Sequence, residues 1–184
     1  MATVLGKAGG SSYGQAARAG AQGEATTATI LNSAPPGVVV LHDLSIPFMK
    51  VGANIDHAII SGTTIWLVDS KLWQPGVYWT LGGKTFRGFK RFAVRNGSER
   101  KFPGDSRTMP MALPAFKKAI AGAEFATPIM VIHSSSRKGS VGLRFFRPQE
   151  ATPMTGKKLA RWILRLREPA DASLVAMMRK YVRR

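Results

Sequence analysis

The chain contains no cysteine, so neither a disulfide nor a thiolate zinc site can form. That absence suits oxidising and reducing compartments alike. No apolar run approaches the roughly 18 residues needed for a membrane-crossing helix. The opening stretch MATVLGKAGGSSYGQAARAG has no apolar core of the secretory kind. The expectation is therefore a cytoplasmic protein, encoded by a bacterium, a phage or a plasmid, and not a secreted one. Acidic side chains are also scarce, with 10 Asp and Glu against 27 Lys and Arg, a net charge of +17.

The scarcity is uneven. Residues 1–83 hold four basic and four acidic residues, whereas residues 84–184 hold 23 basic and 6 acidic ones. The whole excess thus lies in the second half. A basic half of that size reads as a surface for a polyanion, with nucleic acid ahead of an anionic membrane or a merely soluble face. The 184 residues suit one domain, and 45% of them are apolar, enough for a sizeable core.

Along the chain, residues 1–12 read as a mobile start. An Ala-rich helix is expected over 13–31, stopped by SAPPG at 33–37. VVVLHDL (38–44), NIDHAII (54–60), TIWLV (64–68) and GVYWTLG (76–82) read as strands. Residues 84–108 look basic and irregular. A helix over 111–123, strands at 128–134 and 141–147, and helices over 155–168 and 171–184 complete the order. The expected class is mixed α/β (α+β), a helix and then a mixed sheet flanked by helices. The main domain would span 13–150, with 151–184 as a basic helical extension.

One hairpin is unusual. NIDHAIISGTTIWLVDSKLW (54–73) is apolar and β-branched, yet it carries Asp56, Asp69 and Lys71. Side chains two apart on a strand share a face, so Asp69 and Lys71 point together with Ser70 opposite. A tight turn at SGTT would bring Asp56 beside Asp69. Two close carboxylates repel unless one is protonated or a cation lies between them. Oxygen ligands suit a hard ion such as Mg²⁺ or Mn²⁺, and a neighbouring ammonium could steady negative charge at a reacting phosphate. Spacing alone leaves a second reading open, in which Asp69 and Lys71 form an exposed ion pair at a strand end.

The string of motifs resembles a known family. GE at 23–24, VVLHDLSIP at 39–47, NIDHAIIS at 54–61 and LVDSKLWQPGVYW at 67–79 follow the order of the nuclease-related domain. That domain is known as NERD and resembles a branch of the PD-(D/E)XK nucleases. The resemblance covers residues 20–80. It implies a PD-(D/E)XK-like core, with Glu24, Asp56 and Asp69 around a divalent metal ion and Lys71 as the catalytic lysine. Mg²⁺ or Mn²⁺ is the cofactor it implies. The later polar positions of the family have no clear counterpart in 84–150.

Other residues have blander readings. His42, His57 and His133 lie in or beside strands, where packing is the commoner role than base catalysis. Trp73, Tyr78 and Trp79 fit packing better than base stacking. GKAGGSSYGQ follows no strand and lacks the ending of a phosphate loop. TGKKLARWILRLRE sets Leu159, Ile163 and Leu166 on one face and Lys158, Arg161 and Arg165 largely on another. The expected nucleic-acid contacts are Lys84, Arg87, Lys90, Arg91, Lys157, Lys158, Arg161 and Arg165. Two functions follow from the sequence. One is a metal-dependent nuclease that hydrolyses or nicks DNA. The other is a non-cleaving nucleic-acid binder for packaging, transfer or architecture that keeps a nuclease-like fold, and beside both stands a third reading, a basic structural protein within a larger nucleic-acid-bearing assembly.

Overall fold

The computed structural model of the chain describes residues 2–6, 15–49, 54–96, 99–105 and 108–183. In order, the elements are β1 (Thr3–Leu5), α1 (Gln15–Leu31), β2 (Val39–Ser45), β3 (Asn54–Ser61), β4 (Thr64–Trp73), β5 (Gly76–Leu81) and β6 (Lys84–Arg87). Then come β7 (Lys90–Arg91), β8 (Val94–Asn96), β9 (Glu99–Lys101), a 3₁₀ turn (Pro103–Asp105) and α2 (Thr108–Ala119). The chain continues through β10 (Glu124–Phe125), β11 (Ile129–Ser134), β12 (Val141–Phe145), β13 (Thr152–Thr155), α3 (Gly156–Ile163) and α4 (Ala172–Arg179). No helix among the described residues is long and apolar enough to cross a membrane.

A mixed sheet in the order β1-β2-β3-β4-β11-β13 forms the centre, with β10 also paired to β4. The β2–β3–β4 meander is antiparallel, while β1, β11 and β13 join in parallel. Alternation along the strands feeds two cores. Leu41, Ile60 and Leu67 meet Met109 and Phe116 of α2 and Leu174 and Met178 of α4. Val40, Ile59, Val68 and Val131 meet Leu31 of α1 and Leu159 and Ile163 of α3. A sheet covered by helices on both faces is the expected mixed α+β, PD-(D/E)XK-like class.

A second sheet, β12-β5-β6-β7, joins the first through aromatic packing of Trp73, Tyr78, Phe92 and Phe146. Residues 84–108 are therefore not irregular throughout. They form two short hairpins, the second being β8 with β9. Strands of two to four residues are too short for an alternation to stand out from a run of Lys and Arg.

Both chain ends depart from expectation. Residues 3–5 of the supposedly mobile start pair with Val39–Leu41. Residues 1 and 7–12 lie outside the described residues, as do the first two positions of the helix expected from Tyr13 and residues 50–53 of the loop after β2. The segment expected as an extension is part of the core. It contributes β13 as well as Met154, Leu159, Ile163, Leu174 and Met178, all buried. Its linker also holds the β3–β4 turn: Ser61 Oγ and the Gly62 N–H donate to Glu168 O, and the Asp171 N–H donates to Gly62 O at 2.9 Å. Gly62 sits at φ +57°, a conformation that favours glycine.

Each C-terminal helix begins on a side-chain cap. Thr155 Oγ1 accepts from the Lys158 N–H, and Asp171 Oδ1 accepts from the N–H groups of Ser173 and Leu174. The α3 helix ends at Ile163, short of the expected Glu168, and Leu166 still packs against the core. Leu159→Ala should cost about 2–5 kcal/mol of stability in urea unfolding, and Lys157→Gln on the exposed face less than about 0.5 kcal/mol. An unchanged midpoint in Leu159→Ala would mean that the C-terminal segment is a detachable tail.

Candidate metal and phosphodiester site

The β3–β4 ladder runs from Ser61↔Thr64 to His57↔Val68. Continuing the register would set Asp56 opposite Asp69. The regular pairing stops there, and Asp56 Oδ2 instead accepts the Ser70 N–H at 2.6 Å. A side-chain carboxylate thus stands where a ladder carbonyl would otherwise be. The β2 strand is irregular at the same level. Asp43 has φ +52°, its carbonyl accepts the Arg183 N–H at 2.9 Å, and its carboxylate accepts from Asn54.

Asp69 and Lys71 follow on β4, on the face shared with Leu67 and Trp73. Lys71 Nζ lies 2.5 Å from Asp69 Oδ2. The contact is a close ion pair, with Lys71 half-buried and Asp69 buried. Glu24 reaches the site from α1. Gly23 makes this approach close, because a Cβ there would lie 3.4 Å from the Leu72 nitrogen and 3.5 Å from the Lys71 carbonyl carbon.

Electrostatics bind the four residues together. Burial, the Asp69 carboxylate and Glu24 push the Asp56 carboxyl up to about 8, against the pull of Lys71 and the Ser70 N–H. Burial draws Lys71 down, but Asp69, Asp56 and Glu24 outweigh it and hold the amine above its ordinary value. Lys71 is therefore an ammonium at neutral pH, able to donate but not to take up a proton. Three carboxyl groups face one ammonium. That imbalance fits a hard divalent cation bound by oxygen. No three His, Asp or Glu side chains among the described residues form a closed cage. An ion held by Asp56 and Asp69, with Glu24 assisting, would complete its shell from water and phosphate, as Mg²⁺ commonly does.

Residues 19–106 match the family model of the nuclease-related domain. That segment is just under half of the chain. No curated protein and no solved structure matches the chain. The family match includes all four residues of the acidic cluster and extends past residue 80 through both short hairpins. Within this domain, a nuclease-related function follows at the level of the family.

The basic candidates fall into two groups. Lys84 and Arg87 lie on β6, and Lys90 and Arg91 on β7. Lys157, Lys158 and Arg161 lie on α3 and Arg165 just beyond it, all exposed. Arg100 on β9 and Arg144 on β12 add to the charge near the second sheet, and the sequence reading passed over both. Their signal was only their basicity, Arg100 in a run that shows no strand period and Arg144 on the strand expected at 141–147.

The histidines serve a buried polar layer between the sheet and α1. The Nδ1 atoms of His42 and His57 lie 2.7 Å apart, and His42 Nε2 meets Asn32 Oδ1 at 3.1 Å. Burial lowers both rings, His57 to about 3, so each is neutral, and one Nδ1 donates while the other accepts. His133 Nε2 meets Thr27 Oγ1 at 2.8 Å, and Ser70 Oγ donates to the same oxygen at 2.9 Å. Ser70 thus links the carboxylate of Asp56 to α1, a role with no signature in the sequence. Trp73 and Tyr78 are buried, and Trp79 stacks on Phe86 at 4.5 Å.

The pH dependence of metal-free protein follows from Asp56. Its folded pKa exceeds its unfolded value, so between about pH 4 and pH 8 the folded state holds a proton that the unfolded state has lost. Stability from this group is complete below pH 4 and declines as pH rises towards 8. Asp56→Asn keeps an acceptor for the Ser70 N–H and cannot ionise. It should equal wild type near pH 4 and exceed it at pH 8 by at least ~1 kcal/mol in chelator-treated urea unfolding. Parallel pH profiles for the two proteins would refute the buried-acid assignment.

Proposed function

We propose that this nuclease-related domain hydrolyses DNA phosphodiesters with a divalent cation, Mg²⁺ or Mn²⁺, and acts in the cytoplasm. The observation that carries the reading is the Asp56 carboxylate, fixed on the Ser70 N–H beside the Asp69–Lys71 pair. A bound cation would supply Lewis acidity at a phosphoryl oxygen and make water easier to deprotonate.

The chain's own groups divide the remaining work. Asp56 and Asp69 hold the ion, and Glu24 adds negative charge from α1. Asp69 also fixes the Lys71 ammonium by their ion pair. Lys71 keeps its proton, so it orients the attacking water and steadies charge developing on the phosphate. Water oxygen bonds to phosphorus as the bond to the leaving oxygen breaks, the water's proton passing to solvent and solvent returning one to the leaving oxygen. The acidic cluster repels phosphate on its own, so backbone grip falls to Lys84, Arg87, Lys90, Arg91 and the α3 group Lys157, Lys158, Arg161 and Arg165.

Nicking of supercoiled plasmid and gel shift on the same preparations test this division. Asp69→Ala should abolish nicking while binding stays equal or tightens slightly. Lys71→Ala should slow nicking by roughly 100-fold or more, as for loss of one transition-state donor. Changing Lys157, Lys158, Arg161 and Arg165 together to Gln should weaken binding by about 1 kcal/mol or more and spare cleavage at saturating DNA. With about 6 phosphate contacts, wild-type log K against log[salt] should slope near −5. Wild-type nicking should vanish with chelator. Tight binding without cutting would select the packaging or architectural reading, and Asp69→Ala cutting at the wild-type rate would make the hairpin merely structural.

A further inference from the structure

The β6–β7 hairpin turns through Gly88 and Phe89, and Phe89 is fully exposed, at 103% of its reference surface. A single exposed apolar residue is ordinary on a protein surface. This one differs in how it is held. Gly88, at φ +55°, donates its N–H to Val77 O at 2.9 Å, and its own carbonyl accepts from Trp79 Nε1 at 2.7 Å. Trp79 stacks flat on Phe86 beneath the turn, with 17° between the rings. The residue before the turn, Arg87, donates through Nε to Pro75 O at 3.1 Å. The tip is thus fixed on its β6 side against β5 and the residue before it, while its aromatic ring is exposed to solvent.

The surroundings define the chemistry of a partner. Arg87, Lys90 and Arg91 flank the tip, Arg100 shares the adjoining cleft with them, and the hairpin carries no carboxylate. The nearby Glu99 is tied to Lys101. A flat apolar ring projecting among cations matches a nucleobase on its phosphate backbone, since every base has a stacking face. The hairpin is also packed to the acidic site. Phe92, the next residue after β7, lies 4.8 Å from Trp73 between ring centres, and Trp73 is two residues beyond Lys71.

We propose that Phe89 stacks on an unpaired base of a nucleic-acid strand whose phosphates are held by Arg87, Lys90 and Arg91. The inference rests on the nucleic-acid reading above and narrows it to substrates with unpaired bases, such as single strands, gaps or frayed ends. The hairpin grips a base beside the strand to be cut, and the carboxylate cluster acts on the backbone.

The test compares full-length wild type, Phe89→Ala and Phe89→Trp on a single-stranded DNA oligonucleotide, the matching RNA and a blunt duplex of the same length. Phe89→Ala should weaken single-strand binding by about 5- to 150-fold, the range for loss of one base–aromatic stack, and duplex binding by less than about twofold. Phe89→Trp should restore the affinity, and its added indole emission should be quenched on binding. Because the side chain is exposed, the fold should survive, which circular dichroism and urea unfolding would check. Equal DNA and RNA results support the proposal, as does a preference for either strand that depends on Phe89. Wild-type affinity in Phe89→Ala overturns the hairpin assignment alone, and an equal loss on duplex overturns the choice of unpaired bases. Phe89-dependent capture by anionic vesicles with no effect on oligonucleotides assigns the tip to a membrane surface and overturns it too. Failure of the wild-type protein to bind any nucleic acid overturns both this inference and the reading beneath it.

Discussion

The hydrogen bond from the Ser70 N–H to the Asp56 carboxylate organises the acidic end of the central sheet. In an uninterrupted antiparallel ladder, a strand N–H meets a carbonyl of its neighbour. Here the neighbour offers a side chain instead, at 2.6 Å. The β3–β4 ladder therefore ends at His57↔Val68, while β4 continues to Trp73 paired on its other side with β11. The same level of β2 is also irregular, and the freed Asp43 carbonyl is satisfied by the backbone of Arg183. Buried backbone groups must find partners. The C-terminal segment supplies one here and two more at the Gly62 turn, which is why a break in the sheet can persist inside a covered core.

Charge at this break is balanced by neighbours rather than by water. Without a cation, Asp56 holds its proton at neutral pH because burial and Asp69 both oppose its ionisation. Burial pulls the Lys71 pKa down, and the neighbouring Asp69, Asp56 and Glu24 outweigh that pull and keep its proton. Each group thus sets the protonation of the others. Exchanging one ionisation state shifts the rest, and such titrations belong to the set and not to one residue. A divalent cation would move the balance towards two ionised carboxylates without removing the ammonium. The neutral histidine layer on the opposite face adds no competing positive charge.

Sequence patterns disclosed some of this and concealed the rest for definite reasons. The Gly62 turn fixed the strand register closely enough to bring Asp56 towards Asp69. The spacing of Asp69 and Lys71 placed them on one face. Glu24 was visible only through the family resemblance, since nothing local marks one Glu on an Ala-rich helix. The donor from Ser70 is a backbone group and leaves no trace in residue identity. Helix patterning in 155–168 revealed the apolar face of Leu159 and Ile163, but not that the face closes the main core. That is why a segment integral to the fold looked like an extension. The basic run after residue 83 hid its strands because two- to four-residue strands cannot show a period.

The separation of acid from base along the chain has a physical consequence for any polyanion that this domain handles. The first 83 residues are neutral overall, and their buried carboxylates make the local field at Asp56 and Asp69 unfavourable to phosphate. Coulomb repulsion between a carboxylate and a phosphate a few ångströms apart is strong wherever water is excluded. A strand can settle there only if the repulsion is cancelled locally by a cation and Lys71 and outweighed at a distance by the basic residues beyond position 83. The aromatic contacts of Trp73 with Phe92 and Tyr78 tie those two requirements into one packed unit. Mobile basic tails could raise the local concentration of nucleic acid, but they could not hold a phosphodiester in register with a buried carboxylate pair. A basic hairpin packed against the strand that bears Asp69 and Lys71 can do both.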